Sequence, residues 1–258
     1  MTELVAVTED VLVATSPLFV TNSTVLVGHG YNCLVVDPAV TVDELRALAA
    51  ELSARDLRVV AGWSTHPHWD HVLWSAELGA AERFATAEAT DVALRHHDDL
   101  VRQAEAAAAG HDADLIGRLT PLPAGAEELA WDGPSTRIVR HDGHARGHGA
   151  LVVGAGVLLA GDMCSDIEIP LLDLDAEDPI GDYRAGLDLL AGVEEIRVVV
   201  PGHGSPGDVR ELRRRIDCDR TYLDDLEHGR RTRDERLDRA PQWLRDEHDS
   251  QARWVANL

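Results

Sequence analysis

The sequence predicts an α/β (α+β) protein in which two mixed β-sheets pack face to face with helices outside. Three observations carry this. Short β-branched runs alternate with amphipathic helical runs, and the order of β-rich segment, helix, strand and helices occurs twice along the chain. A strand buries one face and a helix one stripe, so two such halves bury most by stacking sheet on sheet under a helical cover. The third observation is size: 258 residues, 45% of them hydrophobic, can bury a sizeable core. Neither linker nor repeat interrupts the chain. One domain is therefore expected over 1–258, with a core of roughly 1–207 and a helical C-terminal extension over 208–258.

The elements follow in order. "STVLVG" and "YNCLVVD" are short apolar runs parted by Gly28-His29-Gly30, the pattern of a hairpin. "TVDELRALAAELSARD" has Thr41 placed as an N-cap and Leu45, Leu48 and Leu52 on one face, which predicts a helix. "LRVVAGW" is a strand that leads directly into "THPHWDH", so those polar residues sit on a loop after a strand. Residues 86–120 are alanine-rich and charged, and predict helix. "GAEELAWDGPSTRIVRHDGHARGH" returns to turns and short strands, and "ALVVGAGVLLAGD" predicts a hairpin ending at Asp162. "DPIGDYRAGLDLLAGV" predicts an amphipathic helix, and "IRVVVPGHG" a strand ending in another histidine loop. From Asp208 the chain is charged and helical.

The formal net charge is −22, from 46 acidic and 24 basic residues. Such a surface repels phosphate backbones and acidic membranes, so neither nucleic acid nor membrane is expected as a partner. The run "RELRRRIDCDR" then predicts a solvated helix face. Cys33, Cys164 and Cys218 form no CxxC pair, so no disulfide framework or cysteine zinc site is expected. The start of the chain has no basic block and carries acids at Glu3, Glu9 and Asp10, unlike a signal peptide, and no apolar run reaches membrane-spanning length. A cytoplasmic protein is the expectation.

Four loops carry concentrated polar residues: His66-Pro67-His68-Trp69-Asp70-His71, Gly143-His144-Ala145-Arg146-Gly147-His148, Gly161-Asp162 and Pro201-Gly202-His203-Gly204. Imidazole and carboxylate are ligands for first-row divalent cations. Seven candidate donors exceed the needs of one tetrahedral ion and suit two ions sharing a carboxylate. His29, His96, His97, His111, His141, His228 and His248 stand alone and are read as ordinary loop residues. Trp63, Trp69 and Trp74 are read as core, and Cys164 as a buried, inert thiol.

HxHxDH followed by GHxxGH, GD and PGHG, in that order and at strand ends, resembles the metallo-β-lactamase superfamily. The resemblance implies a four-layer αββα sandwich with metals at one edge of the sheets. It places His66, His68 and His148 on a first ion, Asp70, His71 and His203 on a second, and Asp162 between them. His148 is chosen as the second histidine of GHxxGH, with His144 orienting a ligand or loop behind it. Asp37 in "LVVDPA" resembles the family's structural aspartate beneath the site. Two divalent ions, zinc first with iron or manganese as alternatives, would activate a bridging hydroxide and polarise the bond to be cut. Asp70 is the candidate catalytic residue, as a ligand that also moves a proton.

The expected function is a metal-dependent hydrolase acting on a small ester, lactone, thioester or amide. The alternative is a mononuclear iron oxidoreductase resembling the persulfide dioxygenases. Asp162, rather than Cys or Ser, departs from the main zinc β-lactamase subclasses, and His68 rather than Glu departs from the di-iron flavoprotein branch. The lactonases carry a Tyr soon after the bridging Asp, whereas "GDMCSDIEIP" has none and Tyr183 lies in a predicted helix. Glyoxalase II enzymes share the ligands and a helical C-terminal region. A small-molecule substrate is the expected partner; the oligomeric state is left open, a homodimer included.

Overall fold

The structure is a computed structural model that describes residues 3–154 and 156–257. One sheet holds seven strands in the order β1 to β7: β1 (Val5–Ala6), β2 (Val11–Thr15), β3 (Asn22–Val27), β4 (Asn32–Val36), β5 (Arg58–Trp63), β6 (Glu82–Ala85) and β7 (Thr120–Pro121). The other holds five, β8 (Thr136–His141), β9 (His148–Val153), β10 (Val157–Gly161), β11 (Val198–Pro201) and β12 (Gly207–Asp208), in the order β12-β11-β10-β9-β8. The expected hairpins are there: β3 pairs antiparallel with β4, and β9 with β10. Residue 155, between β9 and β10, lies outside the described residues. The β4–β5 and β10–β11 pairs are parallel, so both sheets are mixed.

Strand alternation explains the layers. Side chains of one strand point alternately to its two faces. Val11, Val13, Leu26, Leu34, Val36 and Trp63 of the first sheet meet Ile138, Leu151, Val153, Leu159 and Val200 of the second in one buried layer. Their neighbours Leu12, Ala14, Val25, Cys33 and Val35 face outward onto helices α1 (Val42–Ala54) and α3 (His97–Ala107), through Leu45, Leu48, Leu52, Leu100 and Ala104. On the far side, Val139, Ala150, Leu158, Ala160 and Val199 pack on α4 (Pro179–Ala191), α5 (Val209–Glu227) and α6 (Gln242–Ala256). The result is helix, sheet, sheet, helix. The helices of the C-terminal stretch cover the second sheet: Leu212, Ile216, Leu223 and Leu244 share its outer core.

Helix α1 begins as its sequence dictates. Thr41 Oγ1 accepts from Glu44 N at 3.2 Å, and Glu44 Oε2 accepts from Thr41 N at 3.0 Å, closing a capping box. Two expected helices are shorter than the charge pattern implies. The helical stretch read over 86–120 is α2 (Ala87–Arg95) plus α3, and ends at Ala107. Gly110 and Gly117, both at positive φ, turn the chain out of helix before β7. Likewise α5 stops before Gly229 at φ +60, and residues 229–241 are irregular apart from a short 3-10 turn at Glu235–Leu237. Among the described residues no helix is long and apolar enough to cross a membrane.

Candidate metal centre

The four polar loops leave the sheets at one end. The segment 64–71 follows β5, 142–147 joins β8 to β9, Asp162 follows β10 and His203 follows β11. The two sheets are tied together here: Asn22 N donates to Gly202 O at 2.7 Å, Gly149 N to Thr65 O at 2.7 Å, and the Trp63 indole to Gly149 O at 2.9 Å. Asp37, at the end of β4, accepts from Thr65 N at 2.8 Å and Thr65 Oγ1 at 2.6 Å, which fixes the start of the HxHxDH loop. A 3-10 turn over Trp69–His71 then turns Asp70 and His71 inward. Gly202 is required by close approach, since a Cβ there would lie 2.0 Å from Asp162 Oδ1.

Two groups of donors result. In the first, His68 Nδ1 lies 2.9 Å from His144 Nε2, and Asp162 Oδ2 lies 3.5 Å from both His66 Nε2 and His144 Nε2. In the second, His71 Nε2 and His203 Nε2 are 3.2 Å apart, and Asp70 Oδ2 is 3.3 Å from His203 Nε2 and 3.7 Å from His71 Nε2. Asp162 touches this group too: Oδ1 is 3.2 Å from His71 Nε2, and Oδ2 is 3.2 Å from His203 Nε2. Its carboxylate therefore lies between the groups.

The donor set fits divalent metal. Ligands at zinc–nitrogen distances around 2.0–2.1 Å on a tetrahedron stand about 3.3–3.4 Å apart, close to the spacings here. His66 Nε2 and Asp162 Oδ1, one beside each group, are fully buried and make no hydrogen bond, a cost that cations in the two groups would remove. Three of the outer nitrogens are already hydrogen-bonded. His66 Nδ1 bonds Thr65 Oγ1 at 3.0 Å, His144 Nδ1 donates to Leu171 O at 3.1 Å, and His203 Nδ1 donates to Phe19 O at 3.0 Å. His71 Nδ1 lies 3.1 Å from Asp37 Oδ2. These four rings are left with Nε2 facing the centre, while His68 presents Nδ1 there.

The local field points the same way. Burial works against charge on His71 and His203, yet the carboxylates of Asp162, Asp70, Asp37 and Glu168 outweigh it and hold both imidazoles well above their ordinary value. A field that retains protons on buried histidines also attracts a dication. Burial likewise raises Asp70, but His71 and His203 prevail and hold its carboxyl below the usual range. On the first group burial dominates: it pushes His66 well down and His144 down to about 3, so these rings are neutral and able to ligate.

The structure brings together His66, His68, Asp70, His71, Asp162 and His203, and at the seventh position the neighbour differs from the expected one. His144, not His148, stands with His66 and His68. His148 lies behind His66, its ring stacked on that of His66 at 5.1 Å and 8° and on that of His141 at 4.4 Å and 17°. A stacked ring presents its π face rather than a lone pair, and both nitrogens of His148 are buried without a partner. The backbone gives the reason. His148 is the first residue of β9 and is held in register opposite His141, whereas His144 sits in the preceding loop at φ +70, free to turn inward. His141, expected as a loop residue, is instead a buried strand residue.

Glu168 was not anticipated. It is 6% exposed, and its Oε1 lies 3.9 Å from His203 Nδ1. Its carboxylate, a donor atom of His203 and one of Asp162 all lie within 4.8 Å of one another. Burial pushes its carboxyl up to about 7. The available signal was an acid between apolar neighbours in "IEIP". Trp69 is half-buried against Phe19, with ring centroids 6.3 Å apart, Cys164 is buried with its thiol pushed up by burial, and Tyr183 is 2% exposed within the α4–α5 core.

Comparison with known proteins identifies the family and the fold. The model of a family described as the metallo-beta-lactamase superfamily matches residues 17–203. A metallo-beta-lactamase family protein from Thermus thermophilus superposes with a TM-score of 0.68 at 26% identity, over 87% of this chain and 83% of that one. A beta-lactamase domain protein from Burkholderia ambifaria gives 0.68 at 21% identity, over 88% and 78%. A stereoselective inverting sec-alkylsulfatase from a Pseudomonas species gives 0.69 at 14% identity, covering 88% of this chain and 42% of its own, and shares the fold. Among curated proteins, none matches.

Proposed function

We propose that this chain, which belongs to the metallo-beta-lactamase superfamily, is a dinuclear metal-dependent hydrolase of a small organic substrate: an ester, lactone, thioester or amide. The observation that carries the reading is the pair of donor groups joined through Asp162, with the outer nitrogens of His66, His144 and His203 already spent on protein acceptors. His66, His68, His144 and Asp162 would hold one ion, and Asp70, His71, His203 and Asp162 the other. Zinc is the first candidate, with iron or manganese as alternatives. Divalent ions held there supply water acidified towards neutral pH and a Lewis acid for the substrate's carbonyl oxygen.

The chain's own residues supply the rest. Asp70 Oδ2, facing His71 and His203, is placed to take a proton and pass it to the leaving group. Thr65, Leu171, Phe19 and Asp37 hold the imidazoles in orientation, so little reorganisation is needed during reaction. No Ser or Cys nucleophile is required, and the buried Cys164 thiol is unsuited to be one. The second donor group weighs against the one-iron oxidoreductase, which uses fewer of these ligands.

The partner in this reading is a small molecule rather than nucleic acid, the protein acts in the cytoplasm, and the 1–207 core and 208–258 extension work as one unit. The test is a panel of uncharged esters, lactones, thioesters and amides, assayed with metal-replete protein, with chelated protein and after metal is restored. Turnover lost on chelation and regained on restoration is expected for at least one class. Inactivity across the panel, or turnover indifferent to chelator, would refute it.

A further inference from the structure

The segment between Asp162 and Ile169 is fastened more firmly than an ordinary loop. Ser165 Oγ donates to His203 O at 2.8 Å and accepts from Ile167 N and Glu168 N at 3.1 Å each. Asp166 Oδ1 accepts from Ser205 N at 2.7 Å, so the segment is stitched to the loop that carries His203. From behind, Arg215 donates to Cys164 O at 3.3 Å. Arg236 donates to Ser165 O at 3.2 Å, to Glu168 O at 2.7 Å and to the buried Asp219 at 2.6 Å. What these bonds hold in place is the Glu168 side chain.

That side chain has an unusual environment. The residue is 6% exposed, and its nearest basic neighbour is His203. His203 Nδ1 is 3.9 Å away, but its proton is directed to Phe19 O at 3.0 Å. Glu168 is therefore not the acceptor that orients His203. Meanwhile a carboxylate oxygen of Asp162 lies within 4.8 Å, and Asp70 also bears on Glu168 electrostatically. Carboxylates so placed repel one another unless positive charge stands among them, whether protons on His71 and His203 or a metal ion in their place.

We propose that Glu168 is a further oxygen donor of the second metal site, and that it makes this site harder than its neighbour and selective for an oxygen-seeking divalent cation such as Mn2+. The proposal rests on the dinuclear reading above. The first site offers three imidazoles and a shared carboxylate, a set suited to zinc. The second offers two imidazoles with Asp70 and the shared Asp162, and Glu168 would join it from beside His203 and Asp162, whose donor atoms lie within 4.8 Å of its carboxylate. Carboxylate-rich sets favour manganese and related hard ions over softer ones, and a larger donor number favours geometries beyond the tetrahedron.

The experiment is a metal titration of the whole protein. One equivalent of Zn2+ fills the first site, and Mn2+ is then titrated while its free form is followed by electron paramagnetic resonance. Zn2+ affinity for the second site is measured in parallel by competition with a chromophoric chelator. Glu168→Gln keeps the shape and removes the charge. It is expected to weaken Mn2+ by more than about tenfold, the lower end of what even an outer partner contributes, and Zn2+ by clearly less, so that the ratio of the two affinities shifts. Glu168→Asp, which keeps the charge on a shorter stem, should shift the ratio in the same direction by less. Unchanged Mn2+ affinity in Glu168→Gln, or equal loss of both metals, overturns the proposal. Failure of the wild type to bind any second ion overturns it together with the dinuclear reading, and is told apart because it does not depend on the variant.

Discussion

Replacing His144 and His148 in turn separates the two histidines of the GHxxGH loop. His144→Ala removes an Nε2 that stands 2.9 Å from His68 Nδ1 and 3.5 Å from Asp162 Oδ2. One of four donors is lost, and Leu171 O loses its partner as well. Outer partners of a metal are worth about 10- to 100-fold in affinity. A donor should therefore be worth at least about 100-fold, or about 2.8 kcal/mol at 1.4 kcal/mol per decade. His148→Leu is the matched change. Both of its nitrogens are buried without a partner, so an apolar side chain of similar volume strands no polar group. Its cost should stay below about 1.5 kcal/mol, which lowers Tm by only a few degrees in a chain of this size. The assay is elemental analysis after dialysis against metal-free buffer, with thermal unfolding on the same samples. The expected outcome is an ion lost from His144→Ala and full metal content in His148→Leu. The reverse, a folded His148→Leu lacking an ion that His144→Ala keeps, would refute the placement of His144 beside His66 and His68.

Other changes test separate parts of the account. Asp70→Asn, if it keeps both ions, should slow hydrolysis by about 10²–10⁴-fold, and more for poor leaving groups than for good ones; an equal, small loss across a leaving-group series would leave Asp70 as a ligand only. Arg236→Met breaks a buried pair with Asp219, whose side chain is 1% exposed, and should cost about 3–5 kcal/mol in urea unfolding; a loss below about 1 kcal/mol would show that the ties behind the 163–169 segment are dispensable. Burial pushes the His141 imidazole from its ordinary 6.5 down to about 4. The unfolded chain therefore binds more protons between those values, and stability should fall as pH falls through that window, by up to about 1.4 kcal/mol per unit. His141→Leu should flatten that slope in unfolding curves at pH 7 and pH 5, and an unchanged slope would discount the residue.

Much of the fold was legible because its signals are local. The spacing of Leu45, Leu48 and Leu52 behind Thr41 defines α1, and those three leucines are its buried face. The strand runs at 23–28, 31–37, 57–63 and 196–204 were clear for the same reason: β-branched residues bounded by turn residues. Charge alone was a poorer guide. It extended helix through 108–119 and 229–241, where glycines at positive φ end the helices instead. The donor loops could be found by composition, since histidines concentrated at strand ends have few other uses. What composition could not supply was direction. His144 and His148 are four residues apart in similar surroundings, and only the register of β9 with β8 turns one ring towards His66 Nε2 and the other behind it. Glu168 was hidden for a related reason. Its approach to His203 is made by Ser165, Asp166 and Arg236, contacts distant in sequence that carry no periodic signature.

The central claim is that two divalent ions share the carboxylate of Asp162, and counting metal tests it most directly. Protein loaded with Zn2+ and dialysed free of excess should carry about two ions per chain by elemental analysis, and Asp162→Ala, which touches both donor groups, should lose both. A wild type that saturates at one ion per chain, or an Asp162→Ala variant that retains two, would contradict it.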